Sequence, residues 1–303
     1  MKRTAQSSKG STLMLALWAL IVLSAAIFAW VEWIDRTIGV MNEANRGTEA
    51  RALAHSGLAV AMHPNVGRKN RYLSAQFERS KSYQVTIESE GGRLNVNYLL
   101  SGADPQKIAF FKDYLASRGL NFQERQTFID CLLDWISLSQ GGHRLNAVAE
   151  SPDYRPPHRP LQSLDEIALV AGSTPLISRA DWKDDLTLYS SGPLDLESVS
   201  ADWLALVPGI GDQRARRFVK IREKRLNQPD NKDGYPFRNL AEALSDLGLS
   251  QAQFSQLSGY LGFRDPVVRI ESRGQSGKVV RQVDVIVRKA PGATTQILLW
   301  SEK

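Results

Sequence analysis

Residues 11–31 run for 21 positions without a charged side chain. A helix rises ~1.5 Å per residue, so about 20 residues cover the ~30 Å hydrocarbon core of a bilayer. A chain carrying such a segment has a membrane address, and the rest of it must fold on one side. The short leader ahead of the segment holds Lys2, Arg3 and Lys9 and ends at Gly10. By the positive-inside rule the leader is expected to stay cytoplasmic, with the chain from Glu32 onward on the far side.

Three readings of this segment compete. It can be a plain single-span anchor. It can be a secretory signal peptide, since Ala25, Ala26 and Ala29 offer a small-residue cleavage site, although the run is long for that purpose and nothing breaks the helix at its end. The third reading comes from the junction Lys9-Gly10-Ser11-Thr12-Leu13, which resembles the type IV prepilin class. That resemblance implies cleavage after Gly10, with Ser11 as the new first residue. Leu15 would then stand at the fifth position, where most members carry Glu.

The residues that follow strengthen the third reading. Residues 31–62 lack proline, hold only Gly39, Gly47 and Gly57, and are rich in helix formers; Pro64 ends the run. Ile34, Ile38, Met41, Leu53, Leu58 and Val60 supply one loosely amphipathic face. A membrane helix that continues into a half-buried soluble helix has the shape of a pilin stem. Beyond it, a 303-residue chain has room for one large or two small domains. A single cysteine, Cys131, rules out an intramolecular disulfide and is expected in the core. The net charge of +6 is modest and does not by itself point to nucleic acid.

The soluble part divides by pattern. Residues 82–88 alternate polar and apolar, Gly91-Gly92 follows, and residues 93–97 alternate again, which predicts a hairpin. Helices are predicted over 105–118 and 124–137, the second with Phe128, Ile129, Leu132, Leu133, Trp135 and Ile136. Residues 151–160 hold four prolines and read as a loop. Ser163-Leu164-Asp165-Glu166 carries an N-cap and an acidic first turn. Residues 186–191 read as a strand, and Gly192-Pro193-Leu194-Asp195-Leu196-Glu197 then echoes Gly92-Arg93-Leu94-Asn95-Val96-Asn97. Residues 267–271 and 279–288 alternate around 273–277 as a closing antiparallel hairpin, with a last strand at 296–300.

In this order the motifs resemble the K-type minor pseudopilins of the type II secretion system, over nearly the whole chain. The resemblance rests on the leader-glycine-apolar junction, the stem, residues 92–97, Asp130-Cys131-Leu132-Leu133-Asp134-Trp135-Ile136, the proline-rich loop before Leu161-Gln162-Ser163-Leu164-Asp165-Glu166, and the strand before Gly192. It implies an α+β fold: a pilin-like N-terminal helix, an antiparallel sheet, and a mostly α-helical domain inserted between strands. The expected division is leader 1–10, membrane part of the stem 11–31, soluble part 32–63, sheet from 82–100 with 186–197 and 266–303, inserted helical domain 103–185, and a helix-hairpin-helix-like segment 198–265. An apolar fifth residue is itself a K-type trait. In the family, cleavage exposes an amine within the membrane, and an ordinary subunit's Glu is thought to meet its neighbour's amine. Leu15 offers no such partner, which suits a fibre tip and avoids a stranded carboxylate in lipid.

A rival motif lies in residues 204–218. Leu204-Ala205-Leu206-Val207-Pro208-Gly209-Ile210-Gly211 closely resembles a helix-hairpin-helix turn. In nucleic-acid-binding versions, Gly209 and Gly211 would let backbone N–H groups approach a phosphate at a helix N-terminus. The following helix carries Arg214, Arg216, Arg217, Lys220, Arg222, Lys224 and Arg225. A membrane-anchored DNA receptor of a competence or type IV pilus system is therefore the alternative reading, with Gly209, Gly211, Arg214 and Arg217 as phosphate contacts. The reading adopted is that the turn is a packing device and that no nucleic acid is bound.

Nothing points to catalysis. His55, His63, His143 and His158 are scattered without metal-ligand spacing, and no phosphate-binding loop or nucleophile elbow occurs. Some K-type proteins bind calcium in an acidic loop, but here only Asp134 precedes the loop 136–143. Asp230, Asn231 and Asp233 before Gly234 lack a closing Glu. No metal and no cofactor are expected. The expectation is a non-enzymatic, single-pass inner-membrane protein with a periplasmic domain, trimmed by a prepilin peptidase. Its partners would be other minor pseudopilins and the major pseudopilin. Its place would be the tip of the secretion pseudopilus, in fibre initiation and protein export.

Overall fold

The computed structural model describes residues 9–137, 144–231, 233–290 and 294–303. The chain begins with α1 (Lys9–Met62), then β1 (Ser74–Glu78), β2 (Lys81–Ser89), β3 (Leu94–Asn95), α2 (Val96–Leu100), α3 (Pro105–Ser117) and α4 (Phe122–Ile136). It continues through α5 (Thr174–Ile177), α6 (Trp182–Asp185), β4 (Leu186–Thr187), β5 (Leu194–Asp195), α7 (Ala201–Leu206), α8 (Asp212–Leu226), α9 (Leu240–Leu247), α10 (Gln251–Gln256) and β6 (Leu261–Gly262). It closes with β7 (Val267–Ser276), β8 (Val279–Arg288) and β9 (Gln296–Glu302).

One five-stranded sheet, in the order β1-β2-β7-β8-β9, is antiparallel at every pairing. The second half of α1 lies across it. Ala54, Leu58 and Ala61 are buried against Tyr83, Val85, Ile87, Ile270, Val283, Val285 and Val287, the alternate residues of three strands, and Ala50 is buried over Gly274. Small residues bring helix and sheet close. A Cβ on Gly57 would come within 2.7 Å of Ser272 Oγ and 2.8 Å of Tyr83 and Val85. A Cβ on Gly274 would press into the α1 backbone itself, at Ala50 and Ala54. Gly57, a weak helix former, is thus a contact point. Glu49 meets Ser276, Ala54 meets Ser272, and Ala61 meets Lys289, so α1 ends at the edge of the sheet where β2 finishes and β7 begins.

Everything between β2 and β7 is inserted at that edge, and it forms one second core from Leu94 to Leu261. It is built from two similar units. Each opens on a two-residue strand, passes through helices, and returns to pair in parallel with its own opening: β3 with β4, and β5 with β6. The echo between residues 92–97 and 192–197 marks these two openings. Asn95 caps α2 by accepting from Tyr98 N, and Asp195 accepts from Glu197 N. Local signals hold the helices: Asn121 and Glu124 form a capping box on α4, and Gly248 ends α9 in the left-handed region at φ 73°.

Several expectations are corrected. Residues 93–97 do not return along β2; Gly91-Gly92 lies in a 3-10 turn, Glu90–Gly92, and leads into the helical core, while β2 forms its hairpin with β1. Residues 186–197 do not join the main sheet, and only Leu186–Thr187 of the predicted strand is extended enough to pair. The expected segments 103–185 and 198–265 share one core: Tyr114 meets Trp203 edge-on at 5.0 Å, and Phe110 meets Tyr260 at 5.5 Å. The closing hairpin is longer than expected, with β7 reaching Ser276 and Gly277 turning at φ 61°. The stem, its end before Pro64, and the last strand fall where predicted.

Candidate functional site

Two surfaces carry the candidate residues: the uncovered half of α1 and the solvent-facing hairpin between α7 and α8. In α1 the apolar segment has no cover from its own chain. Leu13 is 75% exposed, Leu15 67% and Phe28 74%, and an 18-residue apolar window of this helix is wholly unburied. Burying one large apolar side chain is worth roughly 1.5–3 kcal/mol, so a dozen of them in water would be untenable. The helix has the length and composition to cross a membrane. Trp30 and Trp33 sit where the charge-free run ends, beside an i,i+4 ion pair of Glu32 with Arg36, as residues of a membrane–water boundary do.

Leu15 lies with Trp18, Ala19, Val22, Leu23 and Ala26 along a shallow apolar groove on one face of the helix. Small alanines between larger side chains allow another helix to approach. Gly10 is in the first turn of α1, while the side chain of Ser11 and residues 1–8 lie outside the described residues.

The hairpin is built as the motif predicts. Gly209 and Gly211 take φ 79° and 73°, where other residues would be strained, and a Cβ on either would meet nothing within 4 Å. The turn therefore needs glycine for its backbone, and it faces solvent. Ala215 and Phe218 anchor α8 in the core. Its cations have different fates. Arg222 is buried and donates to Leu196 O at 3.1 Å and Val199 O at 2.7 Å, tying α8 to the start of the second unit. Arg225 pairs with Glu242 and Asp246, and Arg216 with Asp212 and Asp202. Arg214 reaches back to Gly209 O at 3.4 Å. Arg217, Lys220 and Lys224 line an exposed strip around Ile221.

The other polar candidates serve the fold. Asp130 accepts from Asn146 N and Nδ2, and Asp134 pairs with Arg144, so both carboxylates tie residues 144–146 to α4. His143 lies outside the described residues. Asn231 bonds the backbone of Arg225, Gly234 and Tyr235, holding its own loop. His158 meets Glu150 at 3.0 Å, and His55 stacks on Trp300 beside Glu302. Cys131 is buried and accepts from Val148 N, and burial raises its thiol pKa. Among the described residues, no three histidine, cysteine or carboxylate side chains group as metal ligands.

Sequence reasoning passed over the polar joint between sheet and helical core. Glu90, fully buried, accepts from Arg269 Nε at 2.7 Å, Arg93 and Thr187. Asp195 accepts from Ser89 Oγ at 2.9 Å and Arg264 N at 2.9 Å. The only trace in the sequence was the 92–97 echo, which placed a polar residue at the same step of both copies.

No family model and no curated protein matches the sequence. Among solved structures, the fold matches a chain of the GspK–GspI–GspJ complex of the enterotoxigenic Escherichia coli type 2 secretion system. The TM-score is 0.57 at 13% identity, over 88% of this chain and 99% of that one. A likeness at that identity is one of architecture: the long N-terminal helix, the antiparallel sheet and the helical insertion form the pilin-like fold found in that complex.

Proposed function

We propose that this chain is a K-type minor pseudopilin that caps a type II secretion pseudopilus and helps initiate it, an assembly role without catalysis. The observation that carries the reading is the divided character of α1. One continuous helix is bare and apolar in its first half and forms the core of the sheet in its second. Such a subunit is held by lateral packing of stems in a membrane and then in a fibre. The helical core sits at the end of α1 farthest from the membrane segment, where it would cover the top of a fibre. Leu15 supports the same position, because a subunit with none above it has no amine to neutralise. The partners are then the other minor pseudopilins and the major pseudopilin, the processing enzyme is a prepilin peptidase, and the soluble part is periplasmic.

Site-specific crosslinking from the stem tests this. Wild-type crosslinks are expected to neighbours on the lower side only. Leu15→Glu places a carboxyl in hydrocarbon at a cost of roughly 2.5–3.5 kcal/mol, and should assemble less well or move to positions below the tip. Crosslinks on both sides, at the frequency of a shaft subunit, would refute the tip position. The open Gly209–Gly211 turn and the unpaired Arg217, Lys220 and Lys224 favour one second reading, a DNA-binding face. Titration of the full chain with duplex DNA at physiological salt separates the two. Binding much tighter than the ~10⁻⁴–10⁻⁶ M of non-specific contacts, lost in Arg214→Glu with Arg217→Glu, would support the second.

A further inference from the structure

The helical core is joined to the sheet by two chain crossings only, Glu90–Gly92 after β2 and residues 263–266 before β7. Both pass through one buried polar network. Asp195 grips the first crossing through Ser89 Oγ and the second through the N–H groups of Arg264 and Asp265. The packing leaves no slack: a Cβ on Gly91 would lie 2.7 Å from the Cβ atoms of Asp195 and Asp265. Arg264 is held in the left-handed region at φ 59°, unusual for a residue with a side chain. Its guanidinium fastens this crossing to the helical core, donating to Phe237 O at 2.7 Å and to Glu197 Oε1 at 3.2 Å.

Glu197 is the group this network leaves incomplete. Its side chain is fully buried, and Oε2 has no hydrogen-bond partner. The charged groups that face it are Asp195 from β5, Arg264 from the second crossing, Arg68 from the loop after α1, and Arg222 from α8. Arg264 is partly solvated and Arg222 is committed to two carbonyls, while Asp195 repels a second negative charge at close range. A bare carboxylate oxygen in such a place costs far more than a neutral acid does. We propose that the joint between the sheet and the helical core is operated by a proton: Glu197 is neutral when the joint is closed, and its ionisation loosens the core against the sheet.

Burial, with Asp195 adding to it, raises the Glu197 pKa from 4.5 to about 7. The sign follows. The closed joint binds a proton more tightly than the open one, so its stability is greatest near and below pH 4.5 and declines as pH rises to about 7. For one proton released on opening, the opening constant grows about tenfold between pH 6 and pH 8 and little above that.

Hydrogen exchange on the detergent-solubilised full chain reads this directly, in peptides covering residues 90–93 and 263–266. After correction for intrinsic rates, their protection should fall about tenfold from pH 6 to pH 8, while β7–β8 amides hold. In Glu197→Gln, which keeps the shape of the neutral acid, protection should be high and equal at both pH values. Infrared difference spectra of the wild type between pH 6 and pH 8 give a reading that needs no variant: the stretch of a protonated carboxyl should disappear. A wild-type joint with pH-independent protection, a tenfold change that persists in Glu197→Gln, or no protonated carboxyl at pH 6 would each overturn the proposal. None of these outcomes depends on the pseudopilin reading.

Discussion

The seam between α1 and the sheet makes a graded prediction from three glycines. At Gly274 an added Cβ would sit inside 3.0 Å of the Ala50 carbonyl oxygen and the Ala54 nitrogen, and 3.0 Å from the Leu53 carbonyl carbon. All three are backbone atoms of a helix, and Gly274 is backbone of a central strand, so no side chain can swing aside. To restore ordinary contact at ~3.5 Å, α1 would retreat by roughly 1–1.5 Å. A gap of 0.5–1 Å forfeits about a quarter to a half of each dispersion contact, and Ala50, Ala54 and Leu58 all share the seam. Gly274→Ala should therefore cost about 3 kcal/mol, the upper end of the ~1–3 kcal/mol typical of overpacking. At Gly57 the obstructing atoms are the ends of Ser272, Tyr83 and Val85. These can yield, and a helical alanine regains about 0.8–1 kcal/mol over glycine, so Gly57→Ala should lose only about 1 kcal/mol. At Gly39 nothing lies within 4 Å, and Gly39→Ala should lose nothing. Urea unfolding of the full chain in detergent is the assay, with fluorescence of Trp300, stacked on His55 of α1, reporting the seam. If Gly274→Ala costs less than Gly57→Ala, the helix does not lie as close to the sheet as argued.

Three further outcomes are expected. Mass spectrometry of membrane-extracted protein should find an N-terminus at Ser11, and Gly10→Val should block trimming; a start near Ile27 or Trp30 would mean an ordinary signal peptide. On α8, Arg222→Met strips two buried carbonyls of their donor and should destabilise by about 2–4 kcal/mol, at ~1–3 kcal/mol per unsatisfied group. Its exposed neighbour should differ: Arg217→Glu is expected to change thermal stability by less than ~0.5 kcal/mol, and equal effects at the two positions would refute the assignment of buried and exposed faces. If the chain acts in secretion as proposed, an export defect of Glu197→Gln should be small at pH 6, where the wild-type residue is already largely neutral, and greater at pH 8; export assayed at the two pH values measures it.

Much of this protein was legible because the determining interactions are local. A charge-free apolar run makes a helix long and apolar enough to cross a membrane, and helix-forming residues up to Pro64 extend that helix by their own propensity. Alternation over residues 279–288 and a Gly277 turn make a hairpin between adjacent segments. The glycines of the 208–211 turn announce its geometry, because only glycine takes those φ values at no cost. Other features depend on contacts far apart in sequence. Whether residues 93–97 turned back on β2 or entered the helical core was decided 92 residues later by Leu186, which pairs with Leu94. Arg222 and Arg217 look alike in the sequence, and only the packing of Ala215 and Phe218 turns one inward and the other out. The proton-binding joint is drawn from residues 89 to 269, brought together at the edge of a sheet. By itself the sequence determined the stem helix and the closing hairpin, since those follow from neighbours within a turn or a strand pair. Tertiary structure alone decided which polar groups lost their water, and so where a buried charge became costly enough to matter.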